Sequence, residues 1–264
     1  MKRTLSIVLA LGLVLAFVGE LSAHYTYIMP DSFRVVPGGT VKIGFHAADG
    51  FPGSTQVIKR LTDASFRVGG KSIPISPTTE DKRLAAMVTI AGTGHVVAMA
   101  INAATVDTMN AKSFTGYLEE ENLTHVVEAR VKAGEADKPA RERYTMFAKS
   151  ILLAGAPDEG YKTPAGHTIE IVPEKDPYSL KPGEAMPVRV LLRGQPAASL
   201  EVMAASTGSF GSKSRSIGKT GADGRISVPV TAGAWRLHTI HMERSSQPDA
   251  DWESFWATLT FEVP

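Results

Sequence analysis

Short apolar runs interrupted by glycine and proline set the pattern of the chain from Tyr25 to Ala103, as in VVPGGTVKIGFHAADGFPG, ASFRVGGKSIPI and GTGHVVAMAIN. Runs of this length with these breaks predict β-strands joined by turns. Between Ala111 and Glu135 the period changes: Phe114, Tyr117 and Leu118, then Leu123, Val126 and Val127, recur at helical spacing among charges. One or two short helices are expected there. RYTMFAKSILLAG returns to strand character, although its length and periodicity also admit a helix, and GAPDEGYKTPAGHT, rich in glycine and proline, reads as a link between domains. Beyond it lie six expected strands, TIEIVPE, AMPVRVLLRG, LEVMAAST, GRISVPV, WRLHTIHM and ATLTFEV, spaced by turn groups such as Lys181-Pro182-Gly183 and Ala222-Asp223-Gly224.

The fold class expected from this pattern is mainly β. A β-rich N-terminal domain over residues 24–155 carries helices near 111–135, a linker covers 156–167, and residues 168–264 form an antiparallel sandwich of immunoglobulin or transthyretin type. An all-parallel sheet is not expected, because the crossover helices it requires are missing.

The first 23 residues have a different pattern. Lys2 and Arg3 precede an apolar stretch from Leu5 to Val18, and Ala23 offers a small residue for cleavage. This is the layout of a secretory signal peptide, with a stretch too short to span a bilayer. A cut after Ala23 makes His24 the new N-terminus. A terminal histidine presents a free α-amine and an imidazole to the same ion, and both lose their protons near neutral pH.

Composition narrows the classes of function. The 264 residues carry 28 basic and 27 acidic side chains, and loss of Lys2, Arg3 and Glu20 leaves a neutral mature chain. Neutrality argues against general nucleic-acid binding. The absence of cysteine removes disulfides, thiolate metal sites, a thiol nucleophile and a lipidated N-terminal cysteine. No later segment is long and apolar enough for a membrane anchor, so a periplasmic or secreted protein is expected.

The histidines stand at 24, 46, 95, 125, 167, 238 and 241, without a helical ligand pair. In the strand WRLHTIHM the two-residue period sends His241 to one face and His238 to the other. His241, next to the polar MERSSQPDAD, suits a site at a sandwich rim, and His238 suits a structural role. His46, ahead of an Ala-Ala-Asp-Gly turn, and His95, between glycines and an apolar run, are further candidate ligands. His125 and His167 read as packed or linker residues. Asp249, Asp251, Trp252, Glu253 and Trp256 offer carboxylates and shielding rings, although a turn followed by a core-facing strand accounts for them more simply. The run Glu119 to Glu121 reads as a solvated face, and the dispersed methionines read as core. No GxSxG elbow or phosphate loop is present.

Several segments together resemble domain-of-unknown-function family 4198, secreted bacterial proteins often labelled as periplasmic nickel or cobalt uptake components. They are AHYTYIMPDSFRVVPGGTV, FTGYLEEENL, RERYTMFAKSILLAG, IEIVPEKDPYSLKPGEAMPVRVLLRGQP, TGADGRISVPVTAGAWRLHTIHM and DADWESFWATLTFEV. The resemblance implies a terminal histidine at His24, a histidine before methionine at His241, and an acidic aromatic end at Asp251, Trp252, Glu253 and Trp256. One departure is that Tyr25 and Tyr27 stand where members often have tryptophan.

The expected function is therefore periplasmic binding of a divalent transition metal, nickel or cobalt favoured and copper or zinc possible. His24 and His241 are the preferred ligands, with His46 or His95 completing the set, and an inner- or outer-membrane metal transporter is the expected partner. Two alternatives are a copper-dependent oxidative enzyme built on a terminal histidine brace and a structural or carbohydrate-binding sandwich.

Overall fold

The computed structural model describes residues 24–53, 58, 60–80, 83–181 and 183–264. The leader expected over residues 1–23 lies outside them. In chain order the strands of the first half are β1 (Tyr25–Pro30), β2 (Arg34–Val35), β3 (Thr40–Ala48), β4 (Leu61–Val68), β5 (Lys71–Pro74), β6 (Thr78–Glu80), β7 (Arg83–Thr89) and β8 (Gly94–Met109). Helices α1 (Ala111–Glu120) and α2 (Thr124–Lys132) follow, then β9 (Ala140–Ala154). The second half adds β10 (Ile169–Pro173), β11 (Ala185–Leu192), β12 (Gln195–Pro196), β13 (Glu201–Ser206), β14 (Arg215–Lys219) and β15 (Arg225–Pro229). Two long strands, β16 (Gly233–Arg244) and β17 (Trp252–Val263), close the chain. The protein is mainly β, and the helices fall where the change of period places them.

Among the described residues three sheets carry the architecture. The largest has nine strands in the order β14-β13-β16-β17-β9-β8-β4-β5, with β2 added beside β9. A four-stranded sheet, β1-β3-β7-β6, covers part of one face, and a second, β10-β11-β12 with β15 on β11, covers part of the other. The segment 156–167 is not a boundary between sheets. Strand β17 pairs in parallel with β9 from Trp252↔Glu142 to Thr260↔Ser150, so the large sheet contains strands from both sides of that segment.

Strand β9 shows why the two covering layers do not collide. Phe147 and Ile151 point into the core shared with β10, β11 and β15. Ala148, Leu152 and Ala154 point into the core shared with β1, β3 and β7. A strand covered on both faces reads as a continuous apolar run rather than an alternating one, which explains the ambiguity of RYTMFAKSILLAG. By contrast β3 is half-covered and alternates, with Val41, Ile43 and Phe45 turned inward.

A third core forms where α1 and α2 close over Tyr25, Met146, Ile240, Met242, Trp252 and Trp256. The amide of Ser113 donates to the Asn110 side chain, capping α1, while Phe114, Tyr117 and Leu118 are buried. This core brings the end of α1 against the start of β1.

Candidate functional site

Antiparallel pairing builds the site around His24. Strand β1 pairs with β3 from Tyr25↔Ala48 onward, so the residue before β1 meets the residue after β3. His24 Nδ1 lies 2.7 Å from Asp49 Oδ1. The His24 side chain is 17% exposed and that of Asp49 is 46% exposed, which leaves the pair at the surface. Glu120, at the end of α1, is close enough to feel both neighbouring carboxylates. Partial burial first, then the charges of Glu121 and Asp49, raise its pKa above the usual carboxylate value. Negative charge thus concentrates beside His24, an arrangement that favours a cation.

Arg236 holds the loop that carries Asp49. Its guanidinium donates to the Asp49 carbonyl at 3.0 Å, the Ala48 carbonyl at 3.3 Å and the Ser214 hydroxyl at 2.7 Å. It also sits 4.3 Å from the centre of the Tyr25 ring and 5.3 Å from that of Tyr27. Burial pulls its pKa down, and the buried charge is offset by these acceptors and aromatic faces.

Beneath the surface pair lies a second layer. The Tyr25 hydroxyl donates to Glu121 Oε1. His238 Nε2 lies 3.1 Å from the other oxygen of Glu121, and the Tyr25 and His238 ring centres are 4.1 Å apart. Glu121 and His238 are both buried. Desolvation lowers the His238 pKa against the opposing pull of Glu121. Desolvation and the adjacent carboxylate also hold the Tyr25 hydroxyl protonated far above its ordinary range. Glu121 therefore departs from the solvated face expected of its run, because α1 ends there and turns the side chain into the third core.

The other three candidate ligands occupy separate places. His241 is on the opposite face of β16 from the His24 surroundings. His238, Ile240 and Met242 face Tyr25 and Trp256, whereas Leu237 and Trp235 face the layer made by β10, β11 and β15. The strand period separates His238 from His241 as expected, but His238 rather than His241 shares the side of Tyr25. His241 Nε2 instead lies 3.1 Å from Glu243, which Arg193 also binds.

His95 is fully buried and both its nitrogens are engaged, Nδ1 2.9 Å from Asp158 and Nε2 2.8 Å from Asp176. A ring so occupied has no lone pair directed to an ion, and it ties β8 to the segment 156–167 and to the stretch after β10. Gly94 permits this closure, since it has φ +109° and a Cβ there would fall 2.2 Å from Asp158 Oδ2. His46 stacks on Tyr27 at 5.2 Å, and its pKa is lowered by burial and then by Arg83.

The acidic aromatic end follows its simpler account. Asp251 binds Arg141, Asp249 binds Arg143, and Trp252 and Trp256 fill the third core. His125 Nε2 lies 3.1 Å from the Met242 carbonyl. His167 packs on Phe147, and burial with nearby Lys149 lowers its pKa to about 4. Among the described residues no three His, Asp or Glu side chains form a metal-holding group. An ion at His24 thus needs a donor besides the described side chains.

A model for a domain of unknown function, DUF4198, matches residues 21–243. The chain belongs to the DUF4198 family. That span includes His24, Asp49, Glu121 and His238, and stops short of β17. No curated protein matches the chain. Among solved structures, a DUF4785 family protein from Legionella pneumophila is 11% identical at a TM-score of 0.28, covering 83% of this chain and 54% of that one. Three N-terminal domains of the bacteriophage RB49 outer capsid protein Hoc are 10% identical at 0.20, covering 90% of this chain and 59% of that one. The D0-D1 domain of intimin is 13% identical at 0.22, covering 91% of this chain and all of the other. This DUF4198 chain therefore spans little more than half the length of the first two. Among its described residues no helix is long and apolar enough to cross a membrane.

Proposed function

We propose that the mature protein is a periplasmic binding protein for a divalent transition metal, captured at its N-terminal residue and passed on to a membrane transporter. The observation that carries this reading is the 2.7 Å approach of His24 Nδ1 to Asp49 in a locally negative setting next to Glu120. Cleavage after Ala23 adds the α-amine, which forms a chelate ring with Nδ1 of the same residue, the ion taking the place of the proton that Nδ1 shares with Asp49. Asp49 supplies an oxygen, and solvent completes the shell.

Nitrogen and carboxylate donors suit nickel, cobalt, copper and zinc alike, and the preference for nickel or cobalt comes from the family resemblance. A site with few protein ligands at the surface exchanges its ion readily, as a delivery protein requires. A two-imidazole brace finds less support, because the histidine behind Tyr25 is bound to Glu121.

Calorimetry with Ni²⁺ and Co²⁺ on the Asp49→Asn variant of correctly processed protein tests the carboxylate. Binding weakened by about tenfold with unchanged thermal stability is expected. Unchanged affinity for both ions would remove Asp49 from the site.

A further inference from the structure

The face of the β1-β3-β7-β6 sheet turned away from its core carries a dent of about 330 Å³ that the metal reading does not use. Its floor is made by Gly44 and Ala85, which stand directly opposite one another in the β3–β7 register. Gly44 is required there, since a Cβ would fall 2.5 Å from His46 Nε2, so that nitrogen lies over the floor. Met29 and Pro30 give the walls an apolar character.

Charge at the rim is uneven in a specific way. Lys42 is paired with Glu80 at 2.5 Å, and its backbone amide donates to Asp31 at 3.2 Å. Arg83 lines the same dent and has no ion-pair partner among the described residues. It is near enough to His46 to lower that ring's pKa, after burial, and so helps keep the imidazole neutral.

We infer that this dent is a binding site for a small organic monocarboxylate with an apolar body. The guanidinium of Arg83 provides a planar fork for the carboxylate, and the neutral His46 ring lines the same space. The apolar body rests on Gly44 and Ala85 beside Met29. Lys42 is already paired with Glu80 and Asp31 repels a second negative charge at the rim, which selects monoanions over dianions.

Titration of the mature chain with benzoate, phthalate and inorganic phosphate, followed by amide and histidine-ring NMR shifts, tests the site. Benzoate is expected to saturate with a Kd of about 1 mM and to shift Gly44, His46 and Ala85. Phthalate and phosphate are expected to bind at least several-fold more weakly. Arg83→Gln, at an exposed position, is expected to weaken benzoate about tenfold or more. Ala85→Leu, which fills the floor and leaves Arg83 in place, is expected to abolish binding, with thermal unfolding confirming that both variants are folded. No saturable shift at these residues, or equal benzoate binding by folded Arg83→Gln, overturns the site. Equal or tighter binding of phthalate or phosphate overturns the monocarboxylate class.

Discussion

His24 and His95 both face carboxylates at hydrogen-bond distance, yet the two neighbourhoods lead to opposite roles. His95 is sealed from water with each nitrogen taken, and its partners come from segments far apart in the chain. His24 is at the surface, just ahead of β1, with an exposed carboxylate beside it. Burial of the ring decides between them: removing an enclosed ring leaves a cavity and takes the shared partner from two carboxylates, whereas removing an exposed one mainly changes what can bind.

The contrast can be broken most forcefully at His95. His95→Ala is expected to destabilise the fold by about 2–4 kcal/mol, because the buried ring and its two contacts are lost together. Chemical denaturation measures this, and nickel affinity of the protein that remains folded should not change. A His95→Ala protein of normal stability would mean that enclosure is not what separates the two histidines.

Glu142 sharpens the same point with a carboxylate. It is buried, hydrogen-bonded to Tyr117 and Ser254, and burial raises its pKa to about 7. An acid whose folded pKa lies above its unfolded value favours the folded state at low pH. Stability from this group is therefore present below the ordinary carboxylate range, falls as pH rises, and is lost above about 7. Glu142→Gln, which keeps the shape without the charge, is expected to flatten that fall and to be more stable at pH 8 by roughly 1–3 kcal/mol. Denaturation midpoints from pH 5 to 8 check it, and an unchanged slope would remove Glu142 as its source.

Smaller effects belong to the surface. Arg141→Ala, which removes the exposed pair with Asp251, is expected to lower the denaturation midpoint only slightly, a loss that added salt should shrink. A larger loss would show that enclosure is a poor guide to the worth of these pairs.

The legibility of the sequence follows from the same physics. The helices from Ala111 to Lys132 and the half-covered strands such as β3 were readable because one face is core and the other is not. Strand β16 is buried on both faces for most of its length, so its period separates His238 from His241 without saying which side meets Tyr25. Pairing of β9 with β17 joins segments more than a hundred residues apart and has no local signal. Asp49 had one: a strand ending in Ala-Ala-Asp-Gly opposite the strand that starts after His24. Glu121 was hidden inside a run of three glutamates, where only the end of the helix distinguishes the buried one. Arg236 has no local signal, since its role depends on a loop nearly 190 residues earlier.

The most direct test of a His24-centred site compares nickel binding by protein that begins at His24 with protein carrying one alanine before it. The extra residue turns the α-amine into an amide and leaves the ring, Asp49 and the fold in place. Calorimetry at neutral pH is expected to show affinity lower by about tenfold or more in the extended protein. Equal affinity in the two proteins would contradict a centre built on the new N-terminus.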